Sequence, residues 1–203
     1  MYGPLLSRQK YLYPPQIVAQ NLLGQILVHR SSEGLTAGMI VETEAYGGEF
    51  DDASHAFMNR RTRRTEAMFA LGGMSYVYLI YGMYFCFNVV TGEQGVAEAV
   101  LIRSIEPLSG IDLMCVRRKK EIQSKKEKEQ LCSGPGKLCQ AMGINKSHNS
   151  VNLCGNTLYI CENPDLRSFR IVARPRINVD YALRAKDYLL RFYIDRHPSV
   201  SRV

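Results

Sequence analysis

The chain has 203 residues, of which 46% are hydrophobic, and it carries a net charge of +7. This length fits one domain with a sizeable core, and no apolar run reaches the roughly 18 residues of a membrane span. The N-terminus has no basic segment followed by an apolar stretch and a cleavage site, so we do not expect export. The positive charge suits a polyanionic partner, most commonly nucleic acid.

The six cysteines form no CxxC pair, and no His–Cys cluster has the spacing of a zinc site. Several of them stand in apolar surroundings, where a free thiol behaves as a small hydrophobic group. We therefore expect reduced thiols in an intracellular protein. No HExxH or H-x-E…C-x-x-C pattern is present, so we expect no catalytic metal.

The N-terminal part of the chain predicts an arm, a helix and a pair of strands. Prolines make residues 1–15 an irregular surface arm, and the apolar spacing over residues 16–23 predicts a short helix that Gly24 closes. Strands are expected over residues 25–30 and 35–46, with a turn between them.

The second of these strands ends in two glutamates and a tyrosine. Because strand residues alternate between faces, Glu42, Glu44 and Tyr46 share one face. Two carboxylates beside an aromatic ring could form an acid–base site, since crowding and partial burial both raise carboxylate pKa values. An exposed edge with solvated glutamates explains the same pattern, and the pattern alone favours that alternative.

A cluster of four arginines in five residues follows in the next loop: Arg60, Arg61, Arg63 and Arg64. Arginine binds phosphate oxygens in bidentate fashion, so the cluster could hold a nucleic-acid backbone. A solvated basic loop explains the sequence equally well.

Residues 76–88 hold six aromatic side chains in thirteen positions. They predict a β-hairpin with Tyr76–Ile80 as the outgoing strand, Tyr81-Gly82 at the tip, and Met83–Val90 as the returning strand. Tyrosine suits neither the positive φ of a tight turn nor an exposed position. An aromatic ring at an exposed tip is typical of a wedge that unstacks a duplex in the minor groove. The alternative is a core strand pair with Tyr81 folded back onto the domain, and spacing alone favours it.

Residues 97–105 are nearly continuous apolar residues and predict a central strand, which Glu106 and Pro107 end. Arg103 interrupts the apolar run. A buried arginine needs a partner, and a carboxylate on a neighbouring strand is the natural one. A helix is expected over residues 108–116.

Residues 117–130 mix lysine and glutamate and predict an exposed helix end or a mobile loop without a specific role. The glycine-rich residues 133–136 predict a loop that leads into a helix, whose N–H groups could hold a phosphate with Lys137 close by. This is not a Walker A loop, because the spacing before Lys137 and the residue after it are wrong.

The C-terminal part predicts strands over residues 157–161, 168–173 and 190–194, with a short helix over residues 180–188. Because the chain shows no repeat and no linker, we expect residues 1–203 to form a single α+β domain with one mixed or antiparallel sheet.

Five motifs occur in a fixed order: residues 41–46 (VETEAY), His55, residues 76–88, residues 101–107 (LIRSIEP) and residues 132–138 (CSGPGKL). On these motifs the chain resembles the alkyladenine (3-methyladenine) DNA glycosylases of mammals and many bacteria, and the resemblance runs from about Gln20 to about Tyr193. The resemblance implies a compact mixed α/β domain with a curved, mostly antiparallel sheet and a protruding β-hairpin, similar to the C-terminal domain of methionyl-tRNA formyltransferase. It also favours a functional Glu44 and Tyr81 over the alternatives given above.

The resemblance further implies a monofunctional base-excision repair enzyme that acts on double-stranded DNA containing damaged purines. Such enzymes flip an alkylated or deaminated purine out of the duplex and hydrolyse its N-glycosidic bond, which leaves an abasic site. Extrusion is needed because a stacked base cannot be reached, and damaged bases cost least to unpair. The lesion class contains 3-methyladenine, 7-methylguanine, hypoxanthine and ethenoadenine, which the sequence does not rank. We expect a monomer that needs no cofactor and no membrane.

The resemblance also assigns roles to individual residues. Glu44 is the general base that activates a water molecule, which Arg103 and the main-chain carbonyl of Ile177 help to hold. Tyr46 and Tyr78 sandwich the flipped base, and such rings attract a cationic alkylated purine through their quadrupole. His55 contacts the base, and Asn88 rejects the exocyclic amine of guanine. Tyr81 fills the gap that the flipped nucleotide leaves in the duplex. Five positively charged residues contact the phosphates of the DNA backbone: Arg60, Arg61, Arg63, Arg64 and Lys137.

Three features depart from the family pattern. Asn178 stands where many relatives have glycine, next to the backbone expected to hold the water. Ser199 replaces a tryptophan that is common near the C-terminus, and this chain has no tryptophan at all. The charged segment 117–130 is also unusual.

Two other functions remain open. A nucleic-acid-binding module of the same fold would explain the basic surface and the hairpin, but it has no need of the Glu44 carboxylate facing a base. A small-nucleoside hydrolase is a third candidate, for which the basic cluster and the wedge would be superfluous.

Overall fold

The computed structural model describes residues 2–202. It has an α+β fold in which a curled antiparallel sheet carries a few short helices. The strands are β1 (Ile26–Ser31), β2 (Gly34–Tyr46), β3 (Ser75–Ile80), β4 (Tyr84–Thr91), β5 (Glu98–Ser109), β6 (Leu158–Cys161), β7 (Ile171–Arg174) and β8 (Arg191–Ile194). The α-helices are α1 (Pro15–Leu22), α2 (Ile111–Arg118), α3 (Lys125–Gln130) and α4 (Pro135–Met142).

Strand β2 is the centre of the sheet. The strand order is β3-β4-β5-β2-β1-β6, and every pair is antiparallel. β2 pairs with β5 along one edge, while its other edge pairs first with β1 and then, from Glu42 to Glu44, with β8, which in turn pairs with β7. A register shift between Ile40 and Glu42 accompanies this change of partner. The sheet therefore divides where the two glutamates lie.

The alternation predicted for β2 is confirmed, and it separates a core face from a polar face. Val41 and Ala45 belong to the main hydrophobic core, and the hydroxyl of Thr43 donates to the carbonyl of Ala19 on α1 at 2.9 Å. The residues between them, which include Glu44, point to the opposite side. Packing against α1 thus fixes the direction in which Glu44 projects.

The helices cover the core face of the sheet. α1 begins with Pro15, whose fixed φ suits the first helical position, and it buries Val18 and Leu22 against β2 and β5. α4 packs on β4, β5 and α2 and buries Leu138 and Met142. Each such leucine stabilises the fold by about 1.5–3 kcal/mol through burial.

The predicted end of the fifth strand is wrong. β5 continues through Pro107 to Ser109, because Pro107 pairs with Gly38 at a register shift, where a missing N–H is tolerated. The helix expected from Leu108 consequently begins later, at Ile111, after Gly110 has turned the chain with a φ of 71°.

The helix predicted over residues 180–188 is also wrong, since only a 3-10 turn at Ala185–Asp187 forms. In the predicted helix, the N–H groups of Arg184 and Ala185 would bond carbonyls four residues earlier. Instead both groups, at 2.9 Å, donate to the carboxylate of Asp52, which also accepts from Leu183. A contact with a loop more than a hundred residues away in the chain has replaced local helical bonds.

The remaining elements lie close to their predictions. The charged segment 117–130 forms the end of α2 and the exposed helix α3, whose N-cap Ser124 accepts a hydrogen bond from Glu127. Strand β7 begins at Ile171, three residues after the predicted start. All six cysteines are free thiols, four of them buried. In the part of the chain that the structure describes, no helix has the length and apolar character that crossing a membrane requires.

Candidate active site

A cleft of about 900 Å³ lies beside the β3–β4 hairpin. Its walls come from strands β2 to β5, the loop between β2 and β3, the loop before α4, and the two segments that flank β8. The cleft therefore gathers residues from most of the chain. Thirteen residues were given a site role by the resemblance, and all but Arg61 and Arg63 line the cleft: Glu44, Tyr46, His55, Arg60, Arg64, Tyr78, Tyr81, Asn88, Arg103, Lys137 and Ile177.

Glu44 is held by three groups at the inner end of this cleft. Its side chain is fully buried. Oε1 accepts the main-chain N–H of Ile177 at 2.8 Å, and Oε2 accepts the hydroxyl of Tyr46 at 2.9 Å. The Nη1 atom of Arg103 lies 3.2 Å from Oε2. These donors fix the carboxylate in one orientation, and the alternative of a solvated edge glutamate is wrong.

Arg103 connects Glu44 to a second buried carboxylate. Its Nε atom donates to Oε1 of Glu42 at 3.2 Å, so the predicted pairing of this arginine with a carboxylate on a neighbouring strand is confirmed. Glu42 also accepts from Arg191 at 3.0 Å and from the N–H of Ser201 at 2.8 Å. Two carboxylates and two guanidinium groups balance in charge, and this balance offsets the cost of burying all four.

Sequence reasoning did not find Arg191, which lies 149 positions from Glu42. It also did not find a second ion pair, between Arg176 and Asp51, which supports Tyr46. Two hydrogen bonds join the guanidinium group to the carboxylate, one of them 2.7 Å long, and a third reaches the carbonyl of Ala45. The guanidinium carbon lies 4.6 Å from the centre of the Tyr46 ring.

The Tyr46 hydroxyl keeps its proton. Burial and the neighbouring Glu44 carboxylate raise the pKa of Tyr46 well above its ordinary value. The phenol therefore acts as a hydrogen-bond donor to the Glu44 carboxylate.

The facing wall is aromatic and comes from β3 and the preceding loop. The rings of Tyr76 and Tyr78 lie 5.2 Å apart, and His55 stands edge-on to Tyr78 at 4.6 Å. Nδ1 of His55 lies 2.9 Å from the Tyr76 hydroxyl. Burial and the charge of Arg64 lower the pKa of His55 to about 4, so this ring is neutral at physiological pH. The side-chain amide of Asn88 donates to the Tyr76 carbonyl at 2.9 Å, which fixes its orientation.

The predicted hairpin is confirmed, with a return strand that begins at Tyr84 instead of Met83. Tyr81 and Gly82 both have positive φ, 52° and 70°, and the N–H of Met83 bonds the carbonyl of Ile80 at 3.2 Å. Tyr81 is 70% exposed, so the alternative in which it folds back onto the domain is wrong. The chain accepts a strained tyrosine at the tip, where asparagine would fit better.

The four clustered arginines do not act alike. Arg60 and Arg64 line the cleft. Arg61 instead pairs with Glu66, with Nη2 2.6 Å from Oε1, and stacks over Phe69. Arg63 is exposed outside the cleft.

The glycine-rich loop before α4 forms part of the cleft wall, as does Lys137 in the first turn of the helix. Gly134 donates its N–H to the hydroxyl of Ser104 at 3.3 Å. Gly136 packs so closely on Tyr84 that an added Cβ would lie 3.1 Å from the ring. The loop is therefore attached both to β5 and to the hairpin.

Asn178 has a φ of 60°, a conformation that glycine adopts freely and that asparagine tolerates better than most residues. Asparagine is therefore compatible with the backbone at position 178. Ser199 is fully buried, and its carbonyl accepts a hydrogen bond from the hydroxyl of Ser104 at 2.6 Å.

Among residues 2–202, no three His, Cys, Asp or Glu side chains lie close enough together to hold a metal ion.

Comparison with known proteins agrees with this arrangement. A family model described as methylpurine-DNA glycosylase matches residues 9–198. A Clostridium tetani protein named "Putative 3-methyladenine DNA glycosylase" is 52% identical over 202 residues, which cover 97% of this chain and 98% of the relative. Proteins of the same name from Clostridium acetobutylicum and Alkaliphilus oremlandii are 47% and 48% identical, each over 97% of this chain and over 97% and 98% of their own lengths. The chain belongs to the methylpurine-DNA glycosylase family.

Proposed function

We propose that residues 1–203 form one monomeric, monofunctional DNA glycosylase domain. It removes alkylated or deaminated purines from duplex DNA by flipping the damaged nucleotide and hydrolysing its N-glycosidic bond. The substrate class contains 3-methyladenine, 7-methylguanine, hypoxanthine and ethenoadenine. The observation that carries the proposal is the carboxylate of Glu44, buried and held by Ile177, Tyr46 and Arg103 at the wall of an open cleft.

In the proposed reaction, Glu44 removes a proton from a water molecule as that water attacks the anomeric carbon. Arg103 and the carbonyl of Ile177 hold the water. Arg103 also pairs with the Glu44 carboxylate, since its Nη1 atom lies 3.2 Å from Oε2. An alkylated, cationic purine is a good leaving group, because it takes the electron pair of the broken N-glycosidic bond and departs as a neutral base. For such a lesion a positioned general base accounts for about 10²–10⁴-fold of the rate. The reaction then needs no cofactor.

The cleft supplies binding for the extruded nucleotide. Tyr46 and Tyr78 lie on different strands that both line the cleft, and we place the flipped base between their rings. His55 contacts the base, and Asn88 stands against the exocyclic amine of guanine. Tyr81, exposed at the hairpin tip, fills the gap in the duplex.

Positive side chains around the opening hold the DNA backbone. We assign this role to the clustered arginines and to the lysine at the start of α4: Arg60, Arg61, Arg63, Arg64 and Lys137. If they contact phosphates, their removal flattens the salt dependence of binding, because fewer counterions are released.

A single variant separates this enzyme from a nucleic-acid-binding module with the formyltransferase-type fold. Glu44→Gln keeps an oxygen for the Ile177 N–H but removes the charge and the base. We expect single-turnover excision of hypoxanthine from a duplex to fall by about 10²-fold or more, while lesion binding stays within a few-fold of wild type. Glu93→Gln, at an exposed glutamate outside the cleft, serves as the control and retains excision.

The outcomes differ clearly. Base release by wild type without release by Glu44→Gln supports the glycosylase and its general base. Binding without release by wild type, from either hypoxanthine or ethenoadenine duplexes or from methylated genomic DNA, favours the binding module. Equal loss of binding and excision in Glu44→Gln assigns Glu44 a structural role.

A further inference from the structure

Positively charged side chains outnumber negatively charged ones along the wall of the cleft. Five cationic side chains line it, against the single carboxylate of Glu44: Arg60, Arg64, Arg103, Lys137 and Arg202. Glu44 is already paired with Arg103, and His55 is neutral. A negatively charged DNA strand finds an attractive field here, whereas a positively charged base does not.

Both tyrosines proposed to sandwich the base already carry a guanidinium group. Arg176 lies 4.6 Å from the centre of the Tyr46 ring, and Arg64 lies 4.9 Å from the centre of the Tyr78 ring. A cation over an aromatic face uses the negative potential of the ring's quadrupole. The simple expectation that these rings attract a cationic alkylated purine therefore omits the two charges that the chain itself places on them.

The two guanidinium groups differ in their surroundings. Arg176 forms a buried ion pair with Asp51 and does not line the cleft. Arg64 lines the cleft, and none of the carboxylates in residues 2–202 forms an ion pair with it. Its Nη2 atom lies 3.3 Å from Nε2 of His55, a contact that places the guanidinium group beside both aromatic residues.

From this geometry we infer that Arg64 is a specificity-determining residue, which acts as a charge filter on the base pocket and disfavours cationic purines relative to neutral ones. Arg64 brings a positive charge to the ring on which the base would stack. A neutral lesion such as hypoxanthine meets the ring and the N–H donors of the guanidinium group without like-charge repulsion. A cationic lesion such as 7-methylguanine meets the same contacts with like-charge repulsion added. The inference rests on the proposed function.

The hydrogen bond between Arg64 and His55 strengthens this filter. Because an arginine only donates, Nε2 of His55 must accept from it, and the ring proton is then on Nδ1, directed at the Tyr76 hydroxyl. His55 in this form is uncharged and offers no negative group to a cationic base. Arg64 is exposed in the free protein, where solvent weakens its field. Covering the cleft with DNA removes part of that solvent and strengthens the repulsion.

The test compares two lesions in one duplex sequence, 7-methylguanine and hypoxanthine. Single-turnover excision is measured with enzyme below saturation, and the result is the ratio of the two rate constants, cationic over neutral. Loss of a phosphate contact lowers both rates equally and cancels in the ratio. Arg64→Gln removes the charge and is expected to raise the ratio by about tenfold, the size expected for one partly screened unit charge.

Two further variants identify the cause. Arg64→Lys keeps the charge and is expected to keep the ratio within about twofold of wild type, on the same Coulomb argument. Arg30→Gln removes an arginine that also lies over a tyrosine ring, Tyr159, but outside the cleft. This matched control is expected to leave the ratio unchanged.

Each outcome is decisive. A raised ratio in Arg64→Gln alone supports the filter. An unchanged or lowered ratio in Arg64→Gln overturns it, and so does an equal rise in Arg64→Lys, which would assign the effect to shape or to the His55 contact. Failure of the wild type to release either base refutes the proposed function itself, which is a different result from a flat ratio with both bases released.

Discussion

Replacing Asp51 by asparagine tests the ion pair that supports Tyr46. The Asp51 carboxylate accepts two hydrogen bonds from Arg176 and the N–H groups of Gly47 and Ala53, at 3.0 and 3.1 Å. Both charged side chains are almost fully buried. Asparagine keeps one oxygen but turns an NH₂ group toward the guanidinium, so Arg176 becomes an uncompensated buried charge. Breaking such a pair costs about 3–5 kcal/mol, and we expect about 3 kcal/mol because one acceptor remains.

Urea unfolding and thermal melts measure this loss. For a chain of this size, about 3 kcal/mol lowers Tm by about 6–12 °C. Glu66→Gln, which breaks only the exposed pair with Arg61, serves as the control and should leave Tm unchanged within error. The double variant Asp51→Asn/Arg176→Gln should lose less than the sum of the two single variants. A Tm decrease for Asp51→Asn no larger than that of the control would refute the reasoning that burial makes this pair critical.

Three further predictions concern strain and protonation. Tyr81→Ala should leave the urea midpoint unchanged, because the ring is 70% exposed, while it weakens retention of the flipped base, measured by base fluorescence in a lesion duplex. Asn178→Ala should cost about 1–2 kcal/mol in urea unfolding, because alanine tolerates a φ of 60° poorly, and Asn178→Gly should not. Burial lowers the pKa of both His29 and His148, whose Nε2 atoms lie 3.0 Å apart. As the pH falls, the unfolded chain therefore takes up protons at a higher pH than the folded protein does. The free energy of unfolding should have its full value above about pH 6.5 and decrease as the pH is lowered from there. In His29→Gln this free energy should decrease less steeply with falling pH.

Local patterns predicted the parts of the fold and site that depend on neighbours in sequence. The alternation of Glu42, Glu44 and Tyr46 requires only the two-residue period of a strand, and the structure has it. The hairpin follows from strand-forming residues on both sides of a glycine. The ion pair of Arg103 follows from the cost of burying a lone charge in a central strand.

The contacts that the sequence did not reveal are distant in the chain. Arg176 lies 125 positions from Asp51, and Arg191 lies 149 from Glu42. An arginine that follows a proline or begins a strand looks the same whether it is exposed or buried, so no local signal identifies these partners. The helix wrongly predicted over residues 180–188 has the same cause, since the Asp52 carboxylate takes the N–H groups that a helix would use.

Backbone strain shows why local propensity fails at several positions in and beside the cleft. Tyr81 and Asn178 line the cleft, and Met58 and Asn59 immediately precede Arg60, which also lines it. All four have positive φ, between 52° and 60°. Sequence rules for turns would place glycine at such positions, and a chain optimised for stability alone would have it there. A side chain persists in this conformation only where the surrounding structure holds it. Among residues 2–202 three more non-glycine residues have positive φ and do not line the cleft: Lys119, Ser150 and Arg196. Such strain is therefore not confined to the cleft. Tyr81 differs from these because a bulky aromatic side chain combines positive φ with 70% exposure at the tip of a hairpin, a combination that stability alone does not explain.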